Sequence, residues 1–285
     1  MKLEFAGVKD FNADHIFDCG QCFRWNRDDD GSYSGIAGGK AANISYQNGT
    51  VTIDNAGEED RCFWRNYLDL DRDYGLIKEA LSSRDEIISK AIGYGSGIRI
   101  LKQDKWETII SFIISQNNNI PRIKGCIETL CRNFGEYAGS YRNAAYYEMP
   151  EPHVLASLDV NDLEPVKLGY RARYIIETAK KITKDGGRTF LDSAFDDNTP
   201  GDEIYEYLTG LCGVGPKVAN CIMLFGMQHY DSFPVDVWVR RVMSRLYGFD
   251  VSDIKGMKAF AADRYMELGG FAQQYLFYYI RSLEK

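Results

Sequence analysis

A chain of 285 residues, 45% apolar and 13% aromatic, has enough material for one large or two to three small domains with buried cores, which excludes a disordered polymer. Its net charge of −7 excludes a general nucleic-acid coat protein, whose affinity comes from neutralising phosphates, but leaves room for an enzyme with a local basic face. No apolar run is long enough to cross a bilayer and MKLEFAGVKDF has neither the basic nor the apolar region of an export signal, so a soluble protein with no membrane contact is expected, cytoplasmic and nucleoid-associated if bacterial.

Residues 1 to about 80 read as short strands separated by turn residues, with alternating apolar and polar positions and an Asn48-Gly49 hairpin signal. Within this stretch Cys19-Gly-Gln-Cys22 has the spacing of half a zinc or redox site, but no second pair follows. Two half-buried thiols at a strand start are expected instead. The seven cysteines form an odd, scattered set that suits free thiols in a reducing compartment. His15, His153 and His229 are not at metal-ligand spacing, which speaks against zinc hydrolysis and against Ser/His/Asp chemistry.

From Asp60 the periodicity turns helical and stays so. Asp104-Lys-Trp-Glu107 is a capping-box pattern opening a helix with an apolar face of Trp106, Ile109, Ile110, Ile113 and Ile114, which stops at Gln116-Asn117-Asn118-Asn119. Pro121 suits the first turn of the next helix, closed by Gly135. The window 166–188 holds seven basic residues against two acidic ones, a solvated helix face or a patch for phosphates. Further helices are expected around 171–184, 203–211, 216–227, 237–247 and 257–282.

The segment Leu211-Cys-Gly-Val-Gly-Pro-Lys217-Val-Ala-Asn-Cys221 is a glycine turn between two helices. Gly213 and Gly215 permit positive φ and close backbone approach, so amides at the following helix start can face a phosphate; an ordinary αα-hairpin with glycine caps is the alternative. Lys217 falls in a first helical turn, where the macrodipole disfavours a cation. Burial beside Val218, Cys221 and Phe225 would lower its pKa further and free a neutral amine to attack a sugar carbon, unless it is an exposed phosphate contact. Phe233-Pro-Val-Asp236 then places a carboxylate at the next helix start, either as a purely structural N-cap or as a charge that stabilises an oxocarbenium-like sugar.

Residues 203–247 resemble the helix-hairpin-helix DNA glycosylase superfamily, and more of the chain resembles its 8-oxoguanine DNA glycosylase branch. The supporting segments are Gly20-Gln-Cys-Phe-Arg-Trp25, Ser115-Gln-Asn-Asn-Asn-Ile-Pro-Arg122, Leu168-Gly-Tyr-Arg-Ala-Arg-Tyr174, the Lys217 and Asp236 segments, and Phe271-Ala-Gln-Gln-Tyr-Leu-Phe277. The resemblance implies a bifunctional glycosylase and abasic-site lyase of base excision repair, acting as a monomer on duplex DNA with 8-oxoguanine opposite cytosine. Lys217 would attack C1′ and form a Schiff base, and Asp236 would stabilise the sugar cation. Asn117 would fill the space left by the flipped base, Tyr170 would wedge beside the orphaned cytosine, and Arg122 and Arg171 would read it; a helix C-cap and a core aromatic are the structural alternatives for Asn117 and Tyr170. The Gly20 carbonyl would take the N7 hydrogen that distinguishes the lesion, Gln273 the Watson–Crick edge, and Phe277 and Cys221 the two ring faces, although periodicity alone assigns Phe277 to the core.

Trp238 stands where many relatives carry histidine and Ile280 where many carry aspartate. No cysteine follows Cys221, so no iron–sulfur loop is expected and no cofactor is required. A structural cation on the main-chain carbonyls of Thr209, Leu211 and Val214 would fit the family. The expected architecture is α+β, an N-terminal antiparallel β domain at 1–103 followed at 104–285 by an all-helical body of two subdomains with the lesion pocket between them. The rival readings are a related glycosylase for another lesion, such as an alkylated purine, and a non-catalytic DNA-binding module.

Overall fold

The computed structural model describes residues 1–196 and 198–283. Strands β1 (Lys2–Phe5), β2 (Trp25–Arg27), β3 (Tyr33–Ala37), β4 (Lys40–Gln47) and β5 (Thr50–Asp54) form one antiparallel sheet in the order β1-β5-β4-β3-β2. Asn48 and Gly49 have φ of 51° and 79°, which gives the left-handed two-residue turn expected and sets the register Gln47 against Thr50. One face of the sheet closes over Trp25, Tyr33, Ile44, Val51 and Ile53, with Phe17 from helix α1 (Ala13–Phe17) and Trp64 from α2 (Arg61–Tyr67) completing this core.

Two helices before residue 103, α3 (Tyr74–Ser82) and α4 (Glu86–Tyr94), bury Tyr74, Ile77, Leu81 and Ile88 in the larger core of the helical body. That body contains α5 (Lys105–Ser115), α6 (Ile120–Phe134), α7 (Pro152–Ala156), α8 (Arg171–Asp185), α9 (Gly187–Ala194), α10 (Gly201–Thr209), α11 (Pro216–Phe225), α12 (Val237–Tyr247), α13 (Ile254–Tyr265) and α14 (Gly269–Leu283). Helix α5 is its central element. From Thr108 to Ile114 every residue is buried, so α5 packs on all sides, and each isoleucine removed from water there contributes about 1.5–3 kcal/mol. Asp104 caps it by accepting the Glu107 N–H at 2.7 Å.

The body is not all-helical as expected. A hairpin of β6 (Tyr137–Tyr141) and β7 (Ala144–Tyr147) is inserted after α6, and Tyr146 packs against Ile36 and Ala41 of the sheet. Its turn residues Arg142 and Asn143 take φ of 47° and 63° without a glycine, so the usual hairpin signal is missing. The helix expected over 257–282 is also two helices, broken where Met266 has φ 51°. The second of these, α14, starts at the Gly269-Gly270 pair. A Cβ at Gly270 would lie 2.2 Å from Leu224 Cδ1, and one at Gly269 would lie 2.8 Å from the Asp231 carbonyl, so only glycines let α14 approach that segment.

Buried Arg24 ties the sheet to the helical body. It donates to Glu128 at 2.9 Å and to the Tyr147 carbonyl at 2.7 Å, and lies 3.6 Å from Glu107. Burial raises the Glu107 carboxyl from its ordinary 4.5 to about 7 despite Arg24 beside it. A carboxyl raised on folding favours the folded state fully below 4.5 and loses that contribution as pH climbs through 7. Glu107→Gln removes this linkage, so the stability of the parent relative to the variant should fall by about 3 kcal/mol between pH 4.5 and 8 in urea titrations. Parallel curves across that range would show that Glu107 does not titrate there.

Candidate active site

Helices α5, α11, α12 and α14 and the Cys19-Gly20 loop enclose a cavity of about 420 Å³. Six residues singled out from the sequence line it together: Gly20, Lys217, Cys221, Asp236, Gln273 and Phe277. They come from four segments more than 250 residues apart at the extremes.

Pro216 and Lys217 occupy the first turn of α11, and Cys221 follows one turn later. The Lys217 Nζ lies 5.8 Å from the centre of the Phe112 ring on α5, and Phe112 stacks on Phe225 at 5.5 Å. The expectation of a depressed amine is not met. Burial pushes Lys217 down, but Cys221 and Asp236 together outweigh it and the net direction is up from 10.5. The Cys221 thiol is itself pushed up by burial although the ammonium pulls the other way, so near neutral pH it is a thiol. Asp236 is the second group, after Cys221, that favours the protonated amine. Asp236 caps α12, its Oδ1 accepting the Val239 N–H at 2.8 Å.

Gln273 on α14 is 4% exposed, and its Oε1 is a buried oxygen with no hydrogen-bond partner among the described residues. Phe277, one turn on, is only partly buried and stands against the cavity with the Arg281 guanidinium 5.3 Å from its ring. Gly20 has φ 80°, and a Cβ there would fall 3.2 Å from Phe277 Cε1. The preceding Cys19 and nearby Cys22 are fully buried free thiols rather than half-buried ones, and burial raises Cys19 to about 11. Trp238 also lines the cavity, with Arg241 4.7 Å from its ring. Ile280 does not; it is buried in the core.

A second group of expected residues lies outside the cavity. Asn117 follows the end of α5 with φ 45° and is exposed. Its carbonyl accepts from Arg171 Nη2 at 3.0 Å. Arg171 is 4% exposed and also donates to the Gln116 and Leu168 carbonyls, so its fork is turned onto the Asn117 turn. Arg122 is exposed and donates to the Lys167 carbonyl at 3.2 Å. Tyr170 is 52% exposed, not a core aromatic, and carries the Arg171 guanidinium 4.6 Å from its ring.

At the hairpin, Gly213 has φ 80° and a Cβ would meet the Tyr174 ring at 2.3 Å. Gly215 differs from expectation: its φ is −87°, and it caps α11 in an extended conformation with open space where a Cβ would stand. The Leu211 carbonyl accepts the Val214 N–H at 3.1 Å, so a cation on Thr209, Leu211 and Val214 would have to use its second lone pair. Among the described residues no group of three His, Cys, Asp or Glu could hold a metal, and no helix is long and apolar enough to cross a membrane.

Sequence reasoning missed Phe112, because it lies off the apolar stripe of α5; the signal was that α5 is apolar on every side. It missed Arg281 because a basic residue near a helix end needs no further reason.

Residues 5–109 match the family model for the 8-oxoguanine DNA glycosylase N-terminal domain, and residues 110–262 match that for HhH-GPD superfamily base excision DNA repair proteins. An N-glycosylase/DNA lyase of Saccharomyces cerevisiae is 42% identical over 159 residues, covering 53% of this chain and 42% of the yeast protein. An N-glycosylase/DNA lyase of Arabidopsis thaliana is 28% identical over 279 residues, covering 92% and 75%. A crystal structure of the Clostridium acetobutylicum 8-oxoguanine glycosylase/lyase, in complex with double-stranded DNA containing cytosine opposite 8-oxoguanine, superposes with a TM-score of 0.91 at 40% identity over 100% of this chain and 99% of that one.

Proposed function

The chain belongs to the HhH-GPD superfamily of base excision DNA repair proteins and carries the N-terminal domain of the 8-oxoguanine DNA glycosylases, and from that premise we propose that it excises 8-oxoguanine paired with cytosine and then nicks the strand. The observation that carries this reading is the unpartnered Gln273 Oε1, buried in the same cavity as Lys217 and Asp236. A buried acceptor without a partner costs about 1–3 kcal/mol, which a ligand donor recovers. The N1–H and N2–H groups of a guanine-type base are such donors. Phe277 and the Cys221 thiol take the ring faces, and the Gly20 carbonyl takes the N7 hydrogen, which ordinary guanine lacks.

In this reading the flipped nucleotide brings C1′ to Lys217. The deprotonated amine bonds to C1′ as the C1′–N9 bond breaks and its electron pair leaves with the base, which takes up the proton that the newly bonded nitrogen gives up. Asp236 stabilises the positive charge on the sugar between those events. Ring opening gives a Schiff base; loss of a C2′ proton then expels the 3′ phosphate and cuts the strand. Asn117 fills the vacated stack and Tyr170 wedges beside the cytosine. The exposed Arg122 reads that cytosine directly. Arg171 shares that reading, and its bonds to the Gln116 and Asn117 carbonyls also hold the Asn117 turn. Gly213 and the amides at the start of α11 grip a backbone phosphate, with a structural cation on the Thr209, Leu211 and Val214 carbonyls supporting the turn.

Borohydride added to enzyme and an 8-oxoguanine:cytosine duplex should give a covalent adduct. Lack of an adduct, with DNA binding retained, would leave only a binding module; an adduct on an alkylated-purine duplex but not on this one would give the site to another lesion. Arg122→Ala should relax the cytosine preference by about 1–3 kcal/mol in single-turnover rates with each base opposite the lesion. An unchanged opposite-base profile would remove Arg122 from that role.

A further inference from the structure

We propose that Gln274 is a positioning residue for lesion recognition, holding the Gly20 carbonyl at a fixed distance from Gln273. This rests on the functional reading above and adds to it a second carboxamide of the cavity lining, whose donor is committed to the loop. Gln274 is 1% exposed and its Nε2 donates to the Cys19 carbonyl at 2.7 Å, across 255 residues of chain. Its neighbour Gln273 keeps an unpartnered oxygen in the cavity. Two consecutive carboxamides, about 100° apart around α14, thus face two different tasks. One holds the loop and the other is left open for a base.

The loop has little grip of its own at that point. Gly20 sits at φ 80°, where a peptide turns freely, and Phe277 leaves it no room for a side chain. On its far side Gln21 is completely buried. Its Nε2 donates to the Ile16 carbonyl at 2.9 Å and the Arg99 carbonyl at 2.7 Å, and its Oε1 accepts the Leu101 N–H at 2.8 Å. Gly20 is therefore pinned from both sides, to the 99–101 segment through Gln21 and to α14 through Gln274. The second pin runs to the helix that presents Gln273 and Phe277, which also donates from Arg281 Nη1 to the Asp18 carbonyl at 3.2 Å. A reading carbonyl must meet N7 while Gln273 meets the opposite edge of the same rigid base, so the Cys19–Gln274 bond sets the span between them.

The test separates recognition from the lyase step, because a preformed abasic site has no base to read. Gln274→Met keeps length and apolar bulk but removes the donor. Single-turnover excision of 8-oxoguanine should fall about tenfold, the loss expected for one well-placed hydrogen bond, while cleavage of an abasic-site duplex stays within about twofold. The preference for binding 8-oxoguanine duplex over undamaged duplex should shrink in step. Unchanged excision, or equal falls in excision and abasic-site cleavage with a lowered Tm, overturns the proposal. If the parent enzyme cleaves abasic sites but releases no 8-oxoguanine, the functional reading fails and this proposal with it; intact excision by the variant alone overturns only the positioning role.

Discussion

Lys217→Gln should abolish borohydride trapping and lower base release by about a thousandfold or more, since the nucleophile and its covalent intermediate are both lost. The amide keeps most of the length and bulk of the side chain in the cavity. Folding should survive, because the substitution removes a cation from the first turn of α11, where the dipole opposes it. Duplex binding should hold within a few-fold, as the wedge, Gly213 and the main-chain amides at the start of α11 are unchanged. In the parent, excision should rise with pH through the alkaline range. The sign follows from Lys217 being raised above 10.5, since only the minority unprotonated amine bonds to C1′ and that minority grows with pH. A rate that plateaus below pH 8 would mean that DNA in the cavity lowers this amine well below its value in the free protein. Loss of folding in the variant would move Lys217 to a structural role.

That pH expectation marks where sequence reasoning stopped. Helix position and apolar neighbours both argue for a lowered amine, and both are present in the structure. What reverses the direction is Cys221, one turn on, together with Asp236, nineteen residues away in the chain and on a different helix, and no local pattern states that two helix starts converge on one cavity. The same limit explains Arg171. A guanidinium within a basic window reads as solvated, yet the turn after α5 places the Gln116 and Asn117 carbonyls on it. By contrast the helix starts at Asp104, Pro216 and Asp236 were legible because capping is written in three or four neighbouring residues. The β6–β7 hairpin was not, since Arg142 and Asn143 occupy left-handed positions that residue type alone does not demand. Gln274 was equally silent: nothing in Ala272-Gln-Gln-Tyr275 tells which carboxamide of the cavity lining keeps an open oxygen and which bonds the loop.

Asp236→Asn should separate the two roles that this residue fills. As an N-cap, asparagine accepts the Val239 N–H about as well as aspartate, so stability should stay within about 0.5 kcal/mol of the parent. As a charge, it is gone. Base release should fall by about 10²–10³, the usual cost of removing one preorganised group aimed at transition-state charge. Lys217 loses a carboxylate that favours its protonated form, so its pKa should drop and more of it should be free amine near neutral pH. Attack on a preformed abasic site needs that amine but no departing base, so strand cleavage there should fall much less than 8-oxoguanine release, and its pH profile should shift to lower pH. Asp236→Ala, which lacks the cap as well, should lose a further ~1 kcal/mol of stability with no larger defect in base release. Equal losses in both reactions for Asp236→Asn, with an unmoved profile, would show that the carboxylate serves α12 and the DNA rather than the sugar and the amine.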